Sequence, residues 1–153
     1  MARTPAGRAP SPQPPGKLQF PRRDGDGRVV SLPDLLLGVA VWLVVALVIL
    51  LLFEGVGALL GQGFGHTSGW IAGLLAVWLF AEEYRAWRPV PARLPLAVFA
   101  TVCGGTIGFA VAYLLRGLPA LVAGFVGVTV AAGIYALLWY FGVRWAAQRS
   151  GER

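Results

Sequence analysis

The clearest pattern in the chain is a run of nineteen uncharged residues, Leu35 to Phe53, built from eight Leu, five Val, one Ile and one Phe with small residues between them. A helix crossing about 30 Å of hydrocarbon needs roughly 20 residues, so this stretch predicts a membrane-spanning helix over about 34–54. At roughly 0.3 to 0.6 kcal/mol per large apolar residue, its insertion is favourable by about 5 to 9 kcal/mol. Ser31 and Asp34 flank Pro33 at its start, supplying N-cap candidates and a proline near the first turn.

Three more uncharged stretches follow. The second holds His66, Thr67, Ser68 and many glycines in its first half, so the predicted helix begins at those polar residues and covers about 67–87. The third covers 94–115 and is closed by Arg116, Gly117 and Pro119. The fourth, 118–145, is long enough to span with tilt and ends in Trp139, Tyr140, Phe141 and Trp145. Tyr84 and Trp87 close the second helix in the same way, and aromatic belts of this kind mark a membrane interface, which puts both clusters on one side.

Residues 1 to 33 read differently. They hold seven of the eleven prolines and six of the thirteen basic residues, with too few large apolar side chains to offset the entropy of ordering them. The expectation is a disordered, basic, Pro/Arg-rich cytoplasmic tail. It contains no apolar core of the kind a signal peptide requires. Asp24-Gly25-Asp26-Gly27 has the look of a calcium loop, but its twelfth position is Leu35 where such a loop needs a bidentate Glu, so a solvated turn is expected.

Composition agrees with the periodicity: 57% of residues are hydrophobic and 13% charged, where soluble domains run near 45 to 50% and about 25%. The formal charge of +6 is a topology signal. Six Lys/Arg lie in the tail, three between Glu82 and Arg93, three at the carboxyl end, and Arg116 alone in the remaining connections. The positive-inside rule then places both termini and the middle connection in the cytoplasm, in a multi-pass protein of the bacterial inner membrane. Basic residues distributed in this way argue against a nucleic-acid partner.

Candidate chemistry is sparse. Glu54 closes the first apolar run; a carboxylate near hydrocarbon is the natural suspect for proton coupling, although at the interface the expectation is that it stays hydrated. Glu82 and Arg85 share a helix face at i, i+3 and form a second candidate site, for a partner or an anionic headgroup, with a solvated helix end and modest ion pairing as the plainer expectation. Gly104, Gly108 and Ala112 lie mid-span at i, i+4 spacing, where small residues let helices approach closely. Gly57, Gly61, Gly65, Gly69 and Gly73 repeat that spacing, the first part as an outer loop or short interfacial helix and the last two opening the second span. His66 has no second histidine beside it and Cys103 is the only cysteine, so no metal site, cofactor or intramolecular disulfide is expected. No Ser, His and acid set, zinc-protease motif or phosphate loop occurs, and no catalytic residue is predicted.

Glu54, Glu82-Glu83-Tyr84-Arg85, Pro91 and the ending Trp139-Tyr140-Phe141-Gly142-Val143-Arg144-Trp145 together make the body, residues 34–149, resemble a family of small uncharacterised four-span bacterial inner-membrane proteins. The resemblance implies no activity and does not extend to the tail.

The expected fold is therefore all-α: an integral four-transmembrane-helix bundle over residues 34–149. The expected function is that of a non-enzymatic accessory or assembly subunit acting through helix packing. A small homo-oligomeric transporter or channel, proton-linked through Glu54, is the alternative. Expected partners are the lipid bilayer, a second copy or another membrane protein, and anionic lipid at the basic tail. Reporter fusions at residues 30, 62, 90, 117 and 150 should report in, out, in, out, in; an external signal at residue 90 overturns the topology.

Overall fold

The computed structural model describes residues 21–151. Among them the fold is all-helical: α1 (Leu32–Leu59), α2 (Gly73–Ala86), α3 (Arg93–Leu114) and α4 (Ala120–Arg149), with a 3-10 turn at Gly69–Ala72 leading into α2. Three of these, α1, α3 and α4, are long and apolar enough to cross a membrane.

Helix α1 begins as its sequence dictates. The Ser31 hydroxyl accepts from the Asp34 N–H at 3.3 Å while donating to the Asp34 carboxylate at 2.8 Å, and Pro33 sits in the first turn. The helix then runs past Glu54 to Leu59, because Gly55 and Gly57 weaken a helix without stopping it. Gly61, at φ +84°, turns the chain away in the left-handed region that L-residues avoid.

The second predicted helix is divided. Ser68 accepts from the Trp70 N–H at 3.4 Å and opens the 3-10 turn, and only from Gly73 does the chain become α-helical. Close approach to α4 accounts for the glycines here. A Cβ on Gly69 would collide with the backbone of Leu121 and Phe125, and one on Gly73 would come within 2.5 Å of the Val128 side chain.

Helix α4 is the centre of the assembly. One of its sides carries α3, the most extensive packing in the molecule, and the other meets the 3-10 turn, α1 and α2. Where α3 and α4 cross, a Cβ on Gly108 would strike the Gly127 carbonyl, and one on Gly104 would sit 2.6 Å from the Ala131 carbonyl. The Ala112 methyl approaches Gly127 from the same side. The small residues predicted to pack, Gly104, Gly108 and Ala112, thus all face α4. Helices α2 and α3 lie against α4 from different sides and make no extensive packing on each other, so the four form an open arrangement and not a closed ring of neighbours.

The core has two parts. Leu35, Val39, Leu43 and Ala46 of α1 pack with Ala72, Ala76 and Leu79 and with Val128, Ala132 and Ala136 of α4. A second cluster, Trp87, Val90, Trp139, Val143 and Ala146, gathers at the end where α2 finishes and α3 begins. Tyr84 and Trp139 have ring centroids 6.0 Å apart, so the two aromatic clusters do share one end.

Residues 1–20 of the expected tail lie outside the described residues. The stretch from Pro21 to Ser31, expected to be disordered with them, is instead folded against the helices. Arg23 and Val29 form an antiparallel bridge around a turn, with Gly27 at φ +82° and the Asp24 carboxylate accepting from the N–H groups of Asp26 and Arg28 at 3.0 and 2.8 Å. Val29 is buried at 1% exposure. Local hydrogen bonds and one well-placed apolar side chain offset the ordering entropy that composition alone weighs against this segment.

Gly108→Leu should destabilise the protein by about 3 kcal/mol, the upper end of the usual cost of overpacking, because the new side chain meets backbone that cannot give way. Gly133→Leu, whose Cβ meets nothing within 4 Å, should be tolerated. Thermal melting in detergent checks both, and equal melting of the two variants would remove the packing role.

Candidate functional site

Two carboxylates are buried, one at each end of the helices: Glu54 at 5% exposure and Glu83 at 2%. A charged group out of water persists only where hydrogen bonds replace its hydration. Both find backbone donors.

Glu83 lies at the end of α2, facing the 21–31 segment. Its carboxylate accepts from the Val29 N–H at 3.0 Å and from Arg23 Nη1 at 3.3 Å. Arg23 also donates to the Gly27 carbonyl at 2.7 Å and, through Nη2, to Glu82 at 2.8 Å, while Glu82 accepts from the Trp78 indole at 3.0 Å. From α4, Arg144 donates to the Val29 carbonyl at 2.7 Å and lies 3.5 Å above the Tyr140 ring centre. Arg28 stacks over Trp87 at 4.4 Å. The Val29 peptide is thus held on both faces, its N–H by α2 and its carbonyl by α4.

Glu54 sits five residues before the end of α1. It accepts from the Gly65 N–H at 2.5 Å and from the Thr67 N–H at 2.7 Å, folding the loop back over the helix end. Gly65, at φ +84°, aims these amides. The expectation that Glu54 stays hydrated is therefore corrected: two peptide N–H groups stand where water was expected. Phe53, Gly57, Gln62, His66 and Thr67 surround it in a cavity of about 270 Å³.

Glu82 and Arg85, expected to pair, are drawn apart. Glu82 takes Arg23 as its ion partner, and among the described residues Arg85 makes no ion pair. Arg85 instead stands at the edge of a groove of about 650 Å³ between α2 and α3, floored by α4. Gly73, Val77, Phe80 and Tyr84 form one wall, Ala97, Thr101 and Gly105 the other, and Val128, Ala131 and Tyr135 the floor. The groove exists because α2 and α3 both pack on α4 and touch each other only near the end where Arg93 meets Tyr84. Glu54 is far from this place, at the opposite end of the helices, so the three predicted residues do not converge.

No set of three or more His, Cys, Asp or Glu side chains arranged to hold a metal occurs among the described residues. Comparison with protein-family models, with curated proteins and with solved structures finds no match.

Sequence reasoning gave no structural role to Arg23 or Val29, and it named Glu83 and Arg144 only among the residues that carry the resemblance. A signal was available: Asp-Gly between Arg22-Arg23 and Val29-Val30 has the form of a short hairpin, and Glu83 adds a second acid beside Glu82 in a body nearly free of charge.

Glu54→Gln keeps one acceptor where two amides need one each, and sets an NH2 against an N–H. The loss of a charge-assisted bond should cost about 1.5 to 3 kcal/mol and expose residues 60–68 to protease. Unchanged melting and cleavage would show that the carboxylate does not hold the loop.

Proposed function

We propose that the chain is a four-span integral protein of the bacterial cytoplasmic membrane, one of the small inner-membrane proteins its body resembles. In this reading it works without catalysis, as an accessory or assembly subunit acting through helix packing. The 3-10 turn supports the fourth span: at about 2.0 Å per residue over Gly69–Ala72 and about 1.5 Å over Gly73–Ala86, the two in line reach about 29 Å, close to the hydrocarbon thickness. The twelve-to-one division of basic residues supports cytoplasmic termini and a cytoplasmic Trp87–Ala92 connection, with the basic tail drawn to anionic lipid.

The observation that carries the reading is where polar and apolar groups are spent. Both buried carboxylates are occupied by the protein's own peptide N–H groups, whereas α3 buries only Ala100, Gly104 and Gly108 against its neighbours. Its outer face, with Phe99, Val102 and Phe109 exposed, is free for another helix. A proton-linked transporter needs a carboxylate that releases its partners during turnover, and Glu54 is engaged in closing a loop.

Photo-crosslinking amino acids at Phe99 and Val102, in cells, should give a product of fixed mass containing a second polypeptide; lipid adducts alone would overturn the reading. Proton flux in liposomes that disappears in Glu54→Gln would move the assignment to transport.

A further inference from the structure

The groove between α2 and α3 is bounded in a way that identifies its occupant. Its walls are apolar apart from Thr101, whose hydroxyl is spent on its own helix: Leu74, Val77 and Phe80 on α2, and Ala97, Ala100 and Gly105 on α3. Polar groups gather at one end. Arg85 stands at the mouth without an ion partner among the described residues, beside Tyr84, and Arg93 lies over the Tyr84 ring at 4.5 Å while donating to its carbonyl at 3.3 Å. The mouth is therefore cationic and aromatic, and the depth is hydrocarbon-like.

Length separates the possible occupants. From Arg85 back to Gly73 the α2 wall measures about 18 Å, and from Ala97 to Gly105 the α3 wall about 12 Å. Both are near half of the roughly 30 Å hydrocarbon core, the depth of one leaflet. At the far end the groove stops. There the lining ends at Trp70, which reaches α4 with its ring 3.2 Å from where a Cβ on Gly127 would lie. A spanning helix laid in this groove would run into that end, whereas an acyl chain terminates at mid-bilayer.

We propose that the groove is a binding site for one acyl chain of an anionic phospholipid, whose phosphate-bearing headgroup sits at Arg85. The site lies on the helices and is separate from the basic tail. The lipid fills a gap that α2 and α3 leave beside α4, and Arg85 selects headgroups with net negative charge. The inference requires only that the groove lies in a membrane, so it stands whether or not α3 also binds a partner helix.

Native mass spectrometry of the full chain released from detergent micelles tests it, with phosphatidylglycerol, phosphatidylcholine of identical chains, and inorganic phosphate as separate probes. The wild type should retain one phosphatidylglycerol per chain, roughly fivefold over phosphatidylcholine, and no phosphate. Arg85→Gln should bring the two lipids to equal retention. Gly105→Leu should lose both, because its Cβ enters open groove with nothing within 4 Å, and Gly133→Leu on the outside of α4 should retain lipid as the wild type does. Thr101→Leu supplies an independent block of the same groove, since the Thr101 hydroxyl bonds only within its own helix, to the Ala97 carbonyl at 2.8 Å. Equal retention of the two lipids by the wild type would overturn the headgroup assignment, and with it the proposal. Unaltered lipid binding in both groove-filling variants would overturn the location. A dimer that both variants dissociate would show that the groove holds a second copy of the chain.

Discussion

Everything in this fold depends on how closely backbone can approach α4. In hydrocarbon there is no hydrophobic gain from bringing apolar helices together, so association rests on van der Waals contact and on hydrogen bonds that lipid cannot supply. Helix α4 meets that condition with Gly124 and Gly127. A Cβ on Gly124 would stand 2.8 to 2.9 Å from the peptide nitrogens of Gly69 and Trp70, and one on Gly127 would stand 2.8 Å from the Gly108 carbonyl and from the Ala112 methyl. The two contacts lie three residues apart on the same helix and look toward different neighbours. One fixes the 3-10 turn and so the start of α2; the other fixes α3.

That double contact also sets what is left open. Because α2 and α3 are each tied to α4 and to no common third surface, a gap between them follows from the geometry. The tyrosines set around it, Tyr84 and Tyr135, belong to the aromatic end of the molecule, where Phe80 and Tyr135 have ring centroids 4.3 Å apart and Tyr135 stacks near Trp139 at 6.2 Å. The same end anchors the 21–31 segment through Glu83 and Arg144. Aromatic cluster, arginines and folded segment thus form one structure around the Val29 peptide.

How much of this could be read from the letters differs by element. The bounds of α3 and α4 lie within a few residues of those predicted, since Pro95 and Pro119 and a long uncharged run leave few alternatives. Helix α1 runs five residues past the predicted end, because charge marked Glu54 as a boundary while helical geometry did not require one. The division of the second helix was invisible to hydropathy: Gly69 and Gly73 look like loop glycines until α4 is seen pressing on them. The 21–31 segment was hidden for a related reason. Composition averages over the tail, whereas the folding of this piece rests on one valine, one turn and two carboxylates about sixty residues away. Of the candidate residues, the packing positions Gly104, Gly108 and Ala112 are marked by spacing together with their mid-span position, since Gly57, Gly61 and Gly65 share the spacing. The partners of Glu54 and Glu82 are long-range or loop-borne and leave no local periodicity.

The two buried carboxylates share a logic that bears on how such a small chain holds its shape. Each lies near the end of a helix and accepts from peptide N–H groups of a segment that would otherwise be irregular: Val29 at one end, Gly65 and Thr67 at the other. Irregular backbone next to hydrocarbon is tolerable only when its donors are satisfied internally. Glu54 does this with both oxygens, one for each amide, while a single oxygen of Glu83 accepts from both the Val29 N–H and Arg23. Charge in this chain therefore serves first to close the ends of the helices. Arg85, at the open end of the α2–α3 groove and without an ion pair among the described residues, stands outside that arrangement. A cation left unpaired beside an apolar groove is placed to meet a charge that the chain itself does not supply.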